Sequence, residues 1–578
     1  MSKQEVLTIK IAGQAGQGIK SSGILLAKFA KRSGYNVFNY IEYPSIIRGG
    51  HNVMQINISL DEVTGPSYKI DFLIALNQDS IDFHLDEYKE NSSVLYDSET
   101  NLDLSKLPEN VSKYPLPLLD LARECGGSEL HINTVALGAL IGLKSGDIEV
   151  LKVLLKEEFE DKGENVIKLN QDAAEKGYSF VLDKYKDDLT DKLKHVQSLN
   201  ETKDRILING NEAVALGAIR AGLQFAAIYP MSPISNILHV LAKYQEEYGY
   251  VYKQPEDEIS AINMSIGASF AGARAMTATS GGGFCLMGEG YGLAGIAEVP
   301  LVIVEGMRGG PGTGLPTWSE QGDLRMVLHM HQGDFPRIVL AAGDPQEAYY
   351  LTLAAFNLAE RYQTTVVLLI DKNICENDQS YPIFDSKEYV VDRGKFSVDK
   401  IEDYKRYELS ADGISIRSIP GVGNFFIANS DEHNEYGYSS EEIDNRNSQM
   451  NKRMKKLETC ASTDMPPQTL YGSKDADVTI ISWGSNKGSI LQAIKEHENV
   501  NYLHITWMNP FPTGQIKKVL EESKHVLGVE ASFSAQFLGL VKEKTGIEVK
   551  DKLLKYDGRP FYTHEIQQKI DSILGGKK

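Results

Sequence analysis

LVIVEGMRGGPGTGLPT, residues 301–317, joins an uninterrupted apolar run to a loop rich in glycine and proline. A continuous apolar run is typical of a parallel strand that is covered on both faces. Ligands of parallel α/β sheets bind at the carboxyl ends of the strands, which is where this loop would lie. The loop has little side-chain bulk, so a ligand can approach its backbone closely. A guanidinium at Arg308 would suit the carboxylate of a small acid.

The alternation of apolar strands and helices extends on both sides of this loop. FAAIYP, PRIVLAA and TTVVLLID are further strand-like runs between about residues 206 and 371. LTIKIAG begins an earlier strand–turn–helix series, and DVTIISWGS, NYLHITW and HVLGVEAS form a later one. The sequence therefore predicts an α/β protein with three α/β domains.

Shifts in composition place the boundaries of these domains. We expect domains over residues 1–190, 205–375 and 471–578, with a connecting excursion over 376–470. The charged stretch at 184–205 is either a linker or a solvated helix face. Residues 376–470 are polar and acidic, which predicts a surface segment with little regular structure.

Bulk composition excludes several classes of protein. A formal net charge of -19 over 578 residues argues against nucleic acid as the main partner, because phosphate binding needs a basic surface. The four cysteines form no C-x-x-C pair, so a zinc ribbon or iron–sulfur cluster has no local framework. No signal peptide or membrane-spanning run is present. We expect a soluble, cytoplasmic protein that binds no membrane.

The turn GQAGQG contains Gly13, Gly16 and Gly18 between a predicted strand and a predicted helix. Such turns expose backbone N–H groups that favour a phosphate. The spacing is not the dinucleotide fingerprint, although Glu42 follows where a ribose-binding acid would lie. Glycines that only permit a tight turn explain the motif equally well. In the nearby IRGGHN, Arg48 is either a ligand for phosphate or carboxylate or a structural hydrogen-bond donor.

Two further segments lie where the second domain would bind a ligand. In YPMSPIS, prolines on both sides hold the backbone around Ser232, although a proline-rich turn with Ser235 as helix N-cap explains it locally. In PEDEISAI, the helix dipole accounts for Glu256 and Asp257. It neither excludes Glu258 as a catalytic acid nor favours it.

The sequence predicts no metal site in this chain. His329 and His331 are two residues apart, so on a helix they point to different faces. Cys285, within GGGFCLMGEG, is expected to be a small buried packing residue.

Taken in order, the motifs resemble the 2-oxoacid:ferredoxin oxidoreductases, in the arrangement where a γ-type domain is fused ahead of the α-type subunit. GQAGQGI, YPSIIRGGHN and LNQDAAEKGY resemble the γ part. NEAVALGAIRAGLQFAAIYPMSP, EDEISAI and RGGPGTGLPTWSEQGDL resemble the α part, and WMNPFP and KYDGRPF its C-terminal domain. The resemblance implies a γ-type domain, a doubly wound thiamine-pyrimidine-binding domain and a transketolase C-terminal-like domain, in that order.

The resemblance also implies roles for individual residues. Glu258 matches the catalytic acid that hydrogen-bonds the aminopyrimidine ring of thiamine diphosphate. Ser232 stands where the family motif YPITP has a threonine, and with Arg308 it would bind the substrate. The turn Gly13–Gly18, with Gly13, Gly16 and Gly18, and Arg48 would take part in handling coenzyme A.

The chain has no GDG motif for the diphosphate of the cofactor. The resemblance therefore implies a β subunit that carries the diphosphate site, the Mg²⁺ and the iron–sulfur cluster, in a heterodimer or heterotetramer that reduces ferredoxin. The implied reaction is the coenzyme-A-dependent oxidative decarboxylation of a 2-oxoacid to an acyl-CoA and CO2. 2-Oxoglutarate is favoured over pyruvate and branched-chain oxoacids. The alternatives are a nucleotide-dependent dehydrogenase built on the first domain and a scaffold without activity.

Overall fold

A computed structural model of the chain describes residues 6–46, 49–194 and 204–575. The strands of this part of the chain are β1 (Leu7–Ala15), β2 (Asn36–Glu42), β3 (Gly49–Ser59), β4 (Ile70–Ala75), β5 (Tyr88–Asp97), β6 (Ser112–Leu116), β7 (Arg205–Ile208), β8 (Phe225–Ala227), β9 (Val251–Lys253), β10 (Ala275–Thr279), β11 (Leu301–Met307), β12 (Arg337–Ala341), β13 (Thr365–Asp371), β14 (Gln379–Pro382), β15 (Thr469–Gly472), β16 (Val478–Trp483), β17 (Val500–Ile505), β18 (Trp507–Asn509), β19 (His525–Glu530) and β20 (Asp551–Leu554).

The α-helices are α1 (Ile19–Arg32), α2 (Gln78–Asp82), α3 (Leu118–Glu124), α4 (Ile132–Leu143), α5 (Ile148–Glu158), α6 (Glu164–Lys184), α7 (Gly210–Arg220), α8 (Ser235–Tyr248), α9 (Glu258–Phe270), α10 (Gly281–Leu286), α11 (Gly288–Ile296), α12 (Leu324–His329), α13 (Pro345–Tyr362), α14 (Lys372–Glu376), α15 (Ile443–Thr463), α16 (Asn486–Ile494), α17 (Thr513–Glu522), α18 (Gln536–Thr545) and α19 (Thr563–Gly575). None of the helices in the described ranges is long and apolar enough to cross a membrane.

The first of two compact units is built on an eight-stranded sheet. It comprises the described residues of Met1–Ile208 with Asn377–Phe384 and Tyr562–Glu565. The strand order is β6-β5-β4-β1-β3-β2-β14-β7, with β1 parallel to β4 and antiparallel to β3. The apolar segment HINTVALGALIGL forms α4, which is almost wholly buried, so the prediction of a core helix is confirmed.

The second unit contains two sheets and comprises the described residues of 209–376, 385–561 and 566–578. One sheet has the order β18-β12-β13-β11-β10-β8-β9, in which only β18 is antiparallel to its neighbour. The other has the order β15-β17-β16-β19-β20, with β15 antiparallel. One apolar cluster, which includes Ile303 and Trp483, contains side chains from both sheets.

The α/β class predicted from the sequence is confirmed by the three sheets. The predicted boundaries at residues 190, 205, 375 and 470 stay predictions. The predicted linker falls partly on 195–203, which lie outside the described residues.

The expectation of little regular structure in 376–470 is wrong for α15, a helix of 21 residues. The pattern was missed because the helix buries polar and charged side chains in place of an apolar stripe. Its buried residues are Gln449, Lys452, Arg453, Lys456 and Cys460.

A buried carboxylate holds α15 in place. Glu298 is fully buried, and its two oxygens lie 2.7 Å from Lys452 Nζ and 2.5 Å from Lys456 Nζ. Burial alone would raise the pKa of Glu298, but the two ammonium groups hold it well below its usual range. The helix is therefore anchored by charge pairing inside the protein, where the loss of one partner is costly.

Replacement of Glu298 by alanine should lower the free energy of unfolding by about 3–5 kcal/mol, because two ammonium groups stay buried without their partner. Urea denaturation of the full chain measures this. Glu543→Ala is the control, since Glu543 pairs with Arg325 through side chains that are 44% and 31% exposed. Its loss should cost less than about 1 kcal/mol. Equal losses in the two variants would show that Glu298 does not anchor the helix.

Candidate active site

The predicted site residues of the second unit follow three strands at the carboxyl edge of the seven-stranded sheet. Ser232 lies in the turn after β8, Arg308 in the loop after β11, and Glu258 in α9, which follows β9. Nη1 of Arg308 donates a hydrogen bond of 2.9 Å to the backbone carbonyl of Ser232. The structure thus brings the two predicted substrate-binding residues into direct contact.

The turn that carries Ser232 is fixed by backbone and side-chain hydrogen bonds. Asn211 Nδ2 donates to the carbonyl of Pro233 at 2.8 Å, and the N–H of Ile234 donates to the carbonyl of Met231 at 2.9 Å. The expectation that Ser235 caps the next helix is wrong. Ile234 occupies the N-cap position with helical dihedral angles and no side-chain cap, because this turn continues directly into α8.

The three acids at the start of α9 have different environments. The Asp257 carboxylate caps the helix by accepting from the Ser260 N–H at 2.8 Å, and Glu256 accepts from the Ser260 hydroxyl at 2.5 Å. Glu258 is only 3% exposed, and its Oε1 has no hydrogen-bond donor among the described residues. A buried acceptor without a donor is costly. Of the three acids, Glu258 is therefore the one suited to form a hydrogen bond with a ligand.

A glycine of α10 makes room for the Glu258 carboxyl group. A Cβ on Gly283 would lie 2.6 Å from Glu258 Oε1 and 2.1 Å from Thr279 Oγ1. The adjacent Gly282 has no atom within 4 Å of the corresponding position. The backbone of α10 therefore packs directly against the Glu258 carboxyl group, which only a glycine at this position permits.

Sequence reasoning missed a group of acids beside Arg308. Glu305 and Asp371 are fully buried at the ends of β11 and β13, and Asp323 precedes α12. Burial raises the pKa of Glu305 well above its usual value, and the nearby Asp323 raises it further. The available signal was that the apolar runs LVIVE and TTVVLLID each end in an acid at the edge where ligands bind.

Arg308 is half-buried beside these acids. Burial lowers its pKa, and the charge of Asp323 opposes that shift. A guanidinium stays charged in proteins, so Arg308 provides a fixed positive charge in a partly desolvated environment. Such a charge is strongly attracted to a carboxylate.

The structure places the glycine-rich turn of the first unit as the sequence predicts. Gly13 lies in β1, Gly16 has a φ of 93°, and Gly18 is the N-cap of α1 with a φ of 72° and no side-chain cap. The side-chain amide of Asn133 donates to the carbonyl of Gln17 and so supports the turn from α4. Arg48 lies outside the described residues.

Cys285 is exposed, so the expectation that it is a buried packing residue is wrong. It lies on α10, a helix of six residues whose buried face is formed by Gly283 and Phe284. Its Sγ lies 3.3 Å from Sδ of Met326. Partial desolvation of the sulfur raises the pKa of the Cys285 thiol, so the thiol stays protonated near neutral pH.

Two sequence models of one oxidoreductase family match separate parts of this chain. The model described as "Pyruvate flavodoxin/ferredoxin oxidoreductase, thiamine diP-bdg" matches residues 216–452. The model described as "Pyruvate ferredoxin/flavodoxin oxidoreductase" matches residues 8–180. The first match contains Ser232, Glu258 and Arg308, and the second contains the glycine-rich turn.

Among curated relatives, the 2-oxoacid:ferredoxin oxidoreductase subunit alpha of Sulfolobus sp. is 32% identical over 98% of this chain and 96% of its own length. The 2-oxoglutarate synthase subunit KorA of Methanothermobacter marburgensis is 33% identical over 64% of this chain and 98% of its own length. This chain is also similar to the solved structure of 2-oxoglutarate:ferredoxin oxidoreductase from Magnetococcus marinus with 2-oxoglutarate, coenzyme A and succinyl-CoA bound. The TM-score is 0.91 and the sequence identity is 32%. The match covers 99% of this chain and 100% of that chain.

The fold is α/β, and residues 216–452 match the thiamine-diphosphate-binding model of an oxidoreductase family. The chain belongs to the 2-oxoacid:ferredoxin oxidoreductases and matches their α subunits over almost its full length. The family predicted from the sequence motifs is therefore confirmed.

Replacement of Gly283 by alanine should push the Glu258 carboxyl group out of its position, because the new Cβ would overlap Oε1. Overpacking of this kind costs about 1–3 kcal/mol. Denaturant unfolding and a crystal structure of the variant measure the two effects. Gly282→Ala is the matched control in the same helix and should leave stability unchanged or raise it by up to about 1 kcal/mol. Equal stability of the two variants, with the Glu258 carboxyl group unmoved in both, would show that Gly283 does not set the position of Glu258.

Proposed function

We propose that this chain is an α-type subunit, with a γ-type region fused ahead of it, of an enzyme that oxidatively decarboxylates a 2-oxoacid. The products are CO2 and an acyl-CoA, and the electrons pass singly to ferredoxin. The observation that carries the proposal is the contact of Arg308 with the Ser232 turn at the sheet edge where α9 places Glu258. The full-length match to α subunits of 2-oxoacid:ferredoxin oxidoreductases supports it.

Arg308 and Ser232 bind the carboxylate end of the substrate in this proposal. One guanidinium nitrogen is engaged by the Ser232 carbonyl at 2.9 Å, which fixes the orientation of the side chain. The remaining N–H groups can donate to a carboxylate. The Ser232 hydroxyl lies in the same turn and replaces the threonine hydroxyl of the family motif, with one methyl group fewer.

Glu258 activates the thiamine cofactor in this proposal. The buried Oε1, which has no donor among the described residues, fits a hydrogen bond with a ring nitrogen of the aminopyrimidine in which the two groups share one proton. When bound, thiamine diphosphate supplies the nucleophilic carbon and the electron sink that decarboxylation of a 2-oxoacid requires. Glu258 holds or shares a proton with the pyrimidine ring, and α10 keeps its carboxyl group in place.

A β-type partner supplies what this chain does not contain. The sequence has no GDG motif for a metal-bound diphosphate and no C-x-x-C pair for an iron–sulfur cluster. The partner therefore carries the diphosphate site, the Mg²⁺ and the iron–sulfur cluster in this proposal, and it passes the electrons to ferredoxin. The complex would be a heterodimer or heterotetramer in the cytoplasm, and the four free cysteines fit a reducing compartment.

Coenzyme A is the acyl acceptor in this proposal, and 2-oxoglutarate is the favoured oxoacid. The turn of Gly13, Gly16 and Gly18 offers backbone N–H groups at the start of α1 for a phosphate. The similar Magnetococcus marinus structure contains bound 2-oxoglutarate and coenzyme A, and the Methanothermobacter marburgensis relative is named a 2-oxoglutarate synthase subunit. Pyruvate and branched-chain oxoacids are the alternative substrates.

The proposal is tested by copurifying the chain with its β-type partner and assaying a panel of 2-oxoacids. We expect coenzyme-A-dependent reduction of a low-potential electron acceptor by the complex and by neither chain alone. Tight binding of thiamine diphosphate and Mg²⁺ by the isolated chain would contradict the division of the site between two subunits.

Replacement of Glu258 by glutamine should lower kcat of the complex by about 10²–10⁴-fold, because the amide cannot exchange a proton with the pyrimidine ring. Steady-state assays under saturating cofactor measure this. Glu256→Gln removes a carboxylate of the same helix start that bonds the Ser260 hydroxyl, and it should leave kcat unchanged. Full activity of the Glu258 variant would disprove the assigned role.

Replacement of Arg308 by lysine keeps the charge but removes the planar donor pair. Loss of a charged hydrogen bond costs about 1.5–3 kcal/mol, so KM for the oxoacid should rise by about 10–100-fold. The KM for coenzyme A serves as the internal control and should not change. An unchanged KM for every oxoacid would remove Arg308 from the substrate site.

A further inference from the structure

A network of hydrogen bonds on the eight-stranded sheet ends at His51, near the start of β3. Nζ of Lys10 donates to Oε2 of Glu87 at 2.6 Å, and Nδ1 of His84 lies 2.8 Å from the same oxygen. Nε2 of His84 lies 2.9 Å from Nε2 of His51. Lys10 and His84 are buried, and His51 is half-buried. Side chains from β1, from the segment between α2 and β5, and from β3 are thus joined in one path, the His51 network.

The contacts of Glu87 determine which nitrogen of each histidine carries a proton. Burial alone would raise the pKa of Glu87, but the hydrogen bond from His84 and the charge of Lys10 lower it. The ionised carboxylate only accepts hydrogen bonds, so Nδ1 of His84 is the donor. A histidine is mostly neutral above about pH 6.5, and a neutral His84 then has a bare Nε2. That nitrogen accepts from Nε2–H of His51, which leaves Nδ1 of His51 without a proton.

Nδ1 of His51 is a buried acceptor that has no donor among the described residues. Burial, His84 and Lys10 together lower the pKa of His51 to about 4, with burial the largest cause. The ring therefore does not satisfy this nitrogen by taking up a proton near neutral pH. A buried acceptor without a donor is costly. The nitrogen is suited to an N–H or O–H group of a ligand.

His51 lies beside the glycine-rich turn of the first unit. Its partner across the sheet is Gln14, which belongs to that turn. The ring of Phe83 packs edge-on against the His51 ring, with centroids 5.0 Å apart, and Phe83 is 62% exposed. An exposed aromatic ring is a surface on which a nucleobase can stack. The turn, the exposed ring and the acceptor nitrogen therefore lie at one edge of the sheet.

We propose that His51 is a binding residue for coenzyme A, and that its Nδ1 accepts a hydrogen bond from an N–H or O–H group of that ligand. The inference rests on the proposed function, in which the glycine-rich turn binds a phosphate of coenzyme A. The exposed ring of Phe83 moves aside to admit the donor group. Coenzyme A carries such donors at both ends, in its adenosine and in the amides and hydroxyl of its pantetheine arm.

The His51 network decides which chemical groups this position accepts. Glu87 orients His84, and His84 orients His51, so Nδ1 of His51 is held as an acceptor. A phosphate oxygen is itself an acceptor and gains no hydrogen bond there. His51 thus binds the donor-bearing part of the ligand, while the phosphate is directed to the N–H groups of the turn.

Two substitutions at His51 separate the acceptor from the rest of the ring. The amide of His51→Asn reaches the position of Nδ1 and keeps an acceptor there, whereas the amide of His51→Gln reaches that of Nε2. Calorimetric titration of the complex with its β-type partner should show a Kd for coenzyme A that is about 3–10-fold higher in His51→Gln. The Kd should be nearly unchanged in His51→Asn. Equal losses in the two variants, or none in His51→Gln, would overturn the inference.

Adenosine 3′,5′-bisphosphate, which lacks the pantetheine arm, identifies the end of coenzyme A that carries the donor. If His51→Gln weakens both ligands, the donor lies on the adenosine. If it weakens coenzyme A alone, the donor lies on the pantetheine arm. Both outcomes support the inference, because each requires the loss for coenzyme A itself. The KM for the oxoacid is the internal control and should not change.

A crystal structure of the unaltered complex with coenzyme A tests the contact without any variant. We expect a nitrogen or oxygen of coenzyme A within about 3.2 Å of His51 Nδ1. A donor from the protein at this nitrogen, or no ligand atom within that distance, would overturn the inference and leave the proposed function intact. A complex that oxidises 2-oxoacids equally well without coenzyme A would instead overturn the proposed function.

Discussion

The parallel register of β8, β10, β11 and β13 is the constraint on which the site depends. Met276 of β10 pairs with Val302 of β11, and Val302 in turn pairs with Val366 of β13. Because parallel strands in register end at one edge, the residues that follow them are brought together although they are far apart in sequence. The apolar side chains of these strands are buried in the core, and this packing fixes where each strand ends.

Charge at this edge is balanced in a partly desolvated environment. Arg308 keeps a fixed positive charge in the loop after β11, Glu305 is fully buried in that strand, and Glu258 at the start of α9 presents an acceptor oxygen without a donor among the described residues. Such a site is poorly satisfied on its own, because several buried carboxyl groups depend on a proton or a ligand for a partner. Perturbed groups of this kind cluster at functional sites, in keeping with the role proposed for this edge.

Two features that sequence reasoning missed, helix α15 and the buried acids near Arg308, have a common physical cause. Helix α15 was not predicted because its buried face consists of lysine, arginine and glutamine, which pair with partners such as Glu298 from a distant segment. The buried acids were not predicted as a group because Glu305 and Asp323 are separated by a loop whose path the local sequence does not specify. In both cases the surroundings of the charged side chains are set by residues distant in the chain, and periodicity carries no signal of them.

The sequence by itself determined the α/β class, the buried strands, the glycine-rich turn of the first unit and the family, since these depend on local patterns of apolar residues, glycine and proline. It also identified Ser232, Glu258 and Arg308 as candidates. Only the tertiary structure decided that Arg308 bonds the carbonyl of Ser232, that Glu258 is the buried acid of its group, and that Glu305 and Asp371 are fully buried on neighbouring strands. Burial and distance set the strength of a charge interaction, and neither exists until the strands have packed.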